Sequence, residues 1–210
     1  VNDVPAAFQR AIEGDARAVD VGWVEIADGD DVSRHGFVVM LGFGLDAQMI
    51  VETDDDLKER VGWLAYVESL GRAVSGSETL SFTITVDDGP ERVETGHTLL
   101  VGNCGTLQGG VTLMPDADPS DGELDYVVVS AEGFAQWLAT VKTLVWDHGL
   151  KRLVGAGETT APDSESLRRG RASTLTVTLP EPRLLEIDGE ELGETRSFTV
   201  TVQPSAMRVR

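Results

Sequence analysis

Five carboxylates fall within ten positions of the stretch GNCGTLQGGVTLMPDADPSDGELDYVVV, residues 102–129: Asp116, Asp118, Asp121, Glu123 and Asp125. Glycines precede them and a strand-like apolar run follows. Three chemistries are open to such a segment: a metal loop, a phosphate cradle, or a solvated turn between two strands. An EF-hand fails, because that loop needs acids at positions 1, 3 and 5, Gly at 6 and Glu at 12. Counted from Asp116, the sixth residue is Asp121 and the twelfth is Val127. A simpler site survives. Asp121 can offer one carboxylate while carbonyls of the tight turn add oxygens, which Mg²⁺ or Ca²⁺ accepts when waters complete its shell. An acidic turn with no ion has an equal claim.

A second acidic turn lies in EIDGEELGE, residues 186–194. Asp188-Gly189 suits a hairpin, and Glu190 beside it is placed to act as a general base, although most such turns are only turns. GFGLDA at 42–47 matches the GxGxxA form of the dinucleotide fingerprint. That fingerprint needs a helix opening inside it, so that backbone amides meet the pyrophosphate. QMIVE does not open a helix, and a glycine-kinked strand is the better reading. His35, His97 and His148 share no metal-ligand spacing, and GxSxG, HExxH and P-loop patterns are absent.

The elements that must hold these residues are mostly strands. Residues 4–14 read as a short helix ended by Gly14, and 19–26 and 36–44 as strands joined by a polar turn. Residues 54–74 pattern as an amphipathic helix with Asp54, Asp55 and Asp56 at its dipole-favoured start. From Leu80 the chain alternates, with Leu80, Phe82, Ile84 and Val86 on one face and a hairpin at Asp88-Gly89. A further helix fits 131–147, and the polar stretch 155–173 reads as a mobile connection. LTVTL, RLLEIDG, SFTVTV and MRVR close the chain as short strands. Many short strands with two or three helices describe a mainly β domain of sandwich type, not a βαβ array.

Composition narrows the partners. Lys and Arg number 17 against 36 Asp and Glu, a formal charge of −19. Such a chain lacks the phosphate-neutralising surface that general nucleic-acid or anionic-membrane binding requires. Cys104 is the single cysteine, which fits a reducing, cytoplasmic setting and excludes an internal disulfide. The longest apolar run, 37–45, is too short to span a bilayer. The chain opens at Val1 without an initiator Met, and an excised piece of a longer protein is expected.

The order of the motifs is more specific than any one of them. GFGLDA, LKERVGWLAY at 57–66, VGN at 101–103 with Gly109-Gly110, P-x-A-x-x-x-DG-x-LD at 115–125 and DGE at 188–190 together resemble the diacylglycerol kinase catalytic family. That family includes bacterial lipid kinases and the related sphingosine and ceramide kinases. The likeness runs from ARAVDVG at 16–22 to PSAMRVR at the end. It implies an α/β nucleotide-binding domain with a Gly-Gly-Asp-Gly loop, followed by a β-sandwich domain. No such loop occurs here, so the chain is expected to be the C-terminal domain: a hinge at 1–18, then a substrate-binding sandwich at 19–210.

The resemblance also implies roles. A Mg²⁺-type ion would be held by the Asp121 carboxylate and the carbonyls of Asp118 and Glu123. Glu190 would be the catalytic base, with Asp188 assisting. ATP would enter through the N-terminal domain, and the other substrate would be a lipid alcohol such as diacylglycerol, with its acyl tail between the helix at 57–74 and the glycine-rich strands. Cys104 is expected as a small buried filler. Peripheral membrane contact and a homodimer formed through exposed sandwich edges are further expectations. A non-catalytic lipid-binding module is the alternative, and a soluble NAD kinase-like enzyme a third; the P-x-A-x-x-x-DG-x-LD run favours the lipid branch.

Overall fold

The computed structural model describes residues 4–28, 31–44, 79–105, 114–130 and 167–210. Helix α1 (Val4–Glu13) ends where Gly14 N donates to the Arg10 carbonyl at 2.8 Å. Ten strands follow among the described residues: β1 (Arg17–Asp28), β2 (Asp31–Phe37), β3 (Met40–Phe43), β4 (Leu80–Val86), β5 (Arg92–Gly96), β6 (Thr98–Gly102), β7 (Leu124–Val129), β8 (Leu167–Ala172), β9 (Thr174–Ile187) and β10 (Glu190–Val209). The domain is mainly β, as the sequence patterns require. Because β1 starts at Arg17, the expected hinge of 1–18 shares its last two residues with the first strand.

All the strand pairs are antiparallel, in the order β2-β1-β10-β9-β3-β6-β7-β8. Strand β9 is where the sheet divides. One of its edges pairs with β10, while the other serves β4 at Leu175–Thr178 and β3 at Leu185–Ile187. The chain therefore feeds two branches from one long strand, and their apolar faces enclose the core. Phe43 stands edge-on to Phe82 at 5.2 Å and to Phe198 at 6.5 Å between ring centroids. Fully burying a phenylalanine is worth about 1.5–3 kcal/mol, so this trio from β3, β4 and β10 fixes how the branches pack. Strands β6 and β7 are buried along their whole lengths, which explains the apolar runs Leu99–Val101 and Tyr126–Val129 within them. The β4 alternation appears as expected, with Leu80, Phe82 and Ile84 buried.

Three local expectations are corrected. The run 36–44 is two strands, broken at Val38 and Val39 because the amides of residues 38–40 donate to a distant carboxylate. The glycine-kinked strand expected at GFGLDA agrees with the structure as far as Gly44, which turns with φ 90°, and a Cβ on Gly42 would lie 2.6 Å from the Leu99 carbonyl oxygen on β6. The expected connection at 155–173 contains strand β8, laddered to β7 from Leu124↔Ala172 to Val129↔Leu167. The four closing strands are two long ones. Pro180 and Pro182 lie within β9 where its ladder to β10 is interrupted, between Thr178↔Ser197 and Arg183↔Thr195. The helices expected at 54–74 and 131–147, the tail site near 57–74, Gly109-Gly110 and His148 lie outside the described residues. No helix among the described residues is long and apolar enough to cross a membrane.

Candidate functional site

The hairpin joining β9 to β10 turns through Asp188 (φ 46°) and Gly189 (φ 92°), the left-handed pair that a tight two-residue turn demands. Asp188 N donates to the Met40 carbonyl at 2.9 Å. Its carboxylate accepts three amides in return: Val38 N on Oδ2 at 2.8 Å, and Val39 N and Met40 N on Oδ1 at 2.9 Å each. Hydrogen bonds to an ionised carboxylate are among the stronger kinds. Both oxygens of Asp188 are thus engaged by backbone, and what it supplies is a fixed hairpin. Glu190, the first residue of β10, is paired with Ile187 and solvent-exposed. Among the described residues no cation pairs with its carboxylate, which leaves an exposed oxygen base on a rigid turn.

The acidic turn is organised differently. The Asp118 carboxylate accepts from Ser120 N at 3.0 Å and from the Ser120 hydroxyl at 2.6 Å. Its carbonyl accepts Asp121 N at 3.3 Å. Asp121 Oδ1 accepts Glu123 N at 3.0 Å, and Gly122 has φ 81°. The Arg171 guanidinium on β8 then meets the acids: 3.3 Å to Glu123, 3.6 Å to Asp121 Oδ2 and 3.6 Å to Asp125. It also donates to the Asp116 carbonyl at 2.9 Å. Burial pushes the Asp125 carboxyl above its ordinary value; Arg171 pulls it back, and Asp121, Asp116 and Glu123 push it up again.

The fit of a Mg²⁺-type ion can be tested on these contacts. Asp118 spends Oδ1 on Ser120, and its carbonyl, which also accepts Asp121 N, keeps a second lone pair for an ion. Among the described residues Asp121 Oδ2 accepts no hydrogen bond and faces only Arg171, at 3.6 Å. One free carboxylate oxygen plus carbonyls is a hard-oxygen donor set that suits Mg²⁺ or Ca²⁺. The donors fit. Among the described residues no group of three His, Cys, Asp or Glu side chains could hold an ion by themselves.

Two residues that carried no role in the sequence join the turns. Asp20 is 1% exposed and lies at a bulge of β1 opposite residues 204–206 of β10. Its Oδ2 accepts Gly122 N at 2.7 Å, its Oδ1 accepts Ser205 N at 2.6 Å, and its own N donates to the Pro119 carbonyl at 2.7 Å. Asn103, equally buried, donates through Nδ2 to the carbonyls of Asp20 and Val38, at 2.9 and 3.2 Å. Asn103 N and Cys104 N both donate to the Val39 carbonyl. The segment 38–40, bound by Asp188 on one side and by Asn103 on the other, is therefore the common brace of both turns. The signal for Asp20 was a lone acid between apolar strand residues, Val19 and Val21, which must find buried donors. Cys104 is partly buried; burial, and then the nearby Asp188 charge, raise its thiol above the ordinary value.

Known proteins share this architecture. Residues 39–210 match the family model described as YegS C-terminal NAD kinase beta sandwich-like domain. Proteins of Yersinia pestis and Yersinia pseudotuberculosis named "Probable lipid kinase YegS-like" are 27% identical over 207 residues, which is 97% of this chain and 60% of theirs. The chain thus spans about 60% of the length of the curated relatives it matches. A crystal structure of a "putative diacylglycerol kinase" from Bacillus anthracis aligns with TM-score 0.70 at 20% identity, over 99% of this chain and 62% of that one. Yeast NADH kinase complexed with NADH aligns with TM-score 0.51 at 10% identity, over 97% of this chain and 46% of its own. At such identities the structural likeness speaks for the fold alone.

Proposed function

The chain belongs to the YegS C-terminal domain family, and from that premise we propose that it is the substrate-side domain of an ATP-dependent lipid kinase. In this reading Glu190 accepts the proton of a lipid hydroxyl, that of diacylglycerol or a similar lipid alcohol, as the oxygen attacks the γ-phosphorus. The observation that carries it is an exposed carboxylate on a hairpin locked by three amide bonds to Asp188. Phosphoryl transfer depends on positioning and charge neutralisation more than on covalent chemistry, so a base on a rigid turn suits it. Asp188 assists by positioning. ATP and its Mg²⁺ would arrive on a nucleotide-binding domain preceding a hinge at 1–18, with the sandwich of 19–210 holding the lipid. A second, structural Mg²⁺ would sit on Asp121 with the carbonyls of Asp118 and Glu123, adding positive charge to a turn braced against the Glu190 hairpin.

The test is phosphate transfer from ATP to a panel of lipid alcohols, measured on the parent protein that carries both domains. Glu190→Gln should slow turnover roughly 10²–10⁴-fold with the thermal unfolding midpoint unchanged. A loss below tenfold removes Glu190 from the role. Lipid binding without transfer to any alcohol would replace the kinase reading by that of a non-catalytic lipid-binding module.

A further inference from the structure

Asp121 divides its carboxylate between two kinds of partner. Oδ1 is committed to Glu123 N within the turn, and Oδ2, the oxygen left for an ion, faces Arg171 Nη1 at 3.6 Å. The same guanidinium reaches Glu123 at 3.3 Å and Asp125 at 3.6 Å, and it donates to the Asp116 carbonyl at 2.9 Å. Arg171 is no chance visitor to this surface. In the β7–β8 ladder it is the direct cross-strand partner of Asp125, so its Cα is fixed opposite the acids by backbone pairing. Its side chain is 43% exposed, so the guanidinium can swing into solvent without disturbing the core.

We propose that Arg171 is the resident counter-ion of the acidic turn and competes with a divalent cation for Asp121. The inference rests on Asp121 being the ion's carboxylate donor. Mg²⁺ bound at about 2 Å from Oδ2 would stand a few ångströms from the guanidinium, where like charges repel strongly. The two cations therefore exclude each other, and ion binding requires Arg171 to leave. The physical consequence is a turn that keeps its shape without metal, because three of its five carboxylates, Asp121, Glu123 and Asp125, already have a positive partner. It is also a turn whose ion affinity is set low by a residue that is not a ligand. Arg171 thus tunes the metal site from the neighbouring strand.

The experiment is calorimetric titration of the full chain with MgCl₂ and with CaCl₂, paired with thermal unfolding in chelator and in excess ion. It compares the wild type with Arg171→Gln, Arg171→Lys and the Arg171→Gln/Asp121→Asn double variant. Arg171→Gln should bind the ion about tenfold more tightly than the wild type, melt lower in chelator and recover when the ion is added. Arg171→Lys, which keeps the charge, should stay near the wild type, and the double variant should lose the ion. Equal affinity in wild type and Arg171→Gln, lost in the double variant, overturns the competition and leaves Asp121 as a ligand. No ion binding in any variant overturns both the competition and the Asp121 site. An unchanged midpoint for Arg171→Gln in chelator removes Arg171 as the counter-ion.

Discussion

The tripeptide Asp-Gly-Glu occurs twice in this chain, at 121–123 and at 188–190, and the two copies do different work. Each glycine has a positive φ, 81° at Gly122 and 92° at Gly189, so both turns share a local need. The aspartates diverge. Asp121 bonds within its own turn, to the amide two residues on, while Asp188 reaches across 150 residues of sequence to hold the amides of 38–40. The glutamates diverge as well: Glu123 faces Arg171, and Glu190 stands open to solvent. The first turn is held from outside, by Asp20 and Arg171; the second holds the chain around it. A turn motif therefore does not define a role. What its carboxylate finds within 3 Å does.

The largest expected effect follows directly. In the parent protein, Glu190→Gln is expected to abolish most turnover, whereas Glu123→Gln should change it by no more than about threefold, since exposed ion pairs contribute little. Comparable losses at both positions, read as initial rates of phosphate transfer, would erase the distinction. Next comes Asp20→Ala, which strands the amides of Gly122 and Ser205 in a site 1% exposed and should cost about 3 kcal/mol in urea unfolding. A cost under about 1 kcal/mol would mean that the acidic turn does not depend on this brace.

Asp188→Ala should cost about 2 kcal/mol, discounted for the solvent that reaches the hairpin, and Asp121→Ala less than about 1 kcal/mol. The reverse order would show that the local turn bond, and not the long-range clamp, carries the energy. The smallest effect is on Cys104. Because its thiol is raised first by burial and then by Asp188, less of it is thiolate at neutral pH, and alkylation by iodoacetamide should climb with pH through a midpoint above that of a free thiol. Asp188→Asn should move that midpoint down. No movement would mean that the charge of the clamp is not felt across segment 38–40.

Much of the framework could be read without coordinates, for a local reason. Strand alternation at Leu80, Phe82 and Ile84 has a period of two residues, Gly14 ends a helix by its own backbone freedom, and Asp-Gly pairs favour turns wherever they stand. Residue types and their order also carried the family resemblance and marked Asp121, Asp188 and Glu190. Other features were hidden because their causes lie far away in the chain. The break at Val38 and Val39 looks like unbroken strand until Asp188, from the opposite end of the sequence, takes its amides. LTVTL and RLLEIDG look like separate strands until the interrupted β10 ladder lets Pro180 and Pro182 stand inside one continuous β9.

Sequence alone determined that this protein is a β-rich domain with two acidic Asp-Gly-Glu turns and a lone cysteine, since propensity, patterning and composition act over a few residues. Tertiary structure decided which aspartate clamps and which is clamped, that Asp20 and Asn103 join the two turns, and that Arg171 sits against the carboxylates of Asp121, Glu123 and Asp125. Those outcomes depend on hydrogen bonds and charges brought within about 3–4 Å by strand pairing, and no local pattern encodes which distant donor a buried carboxylate will meet.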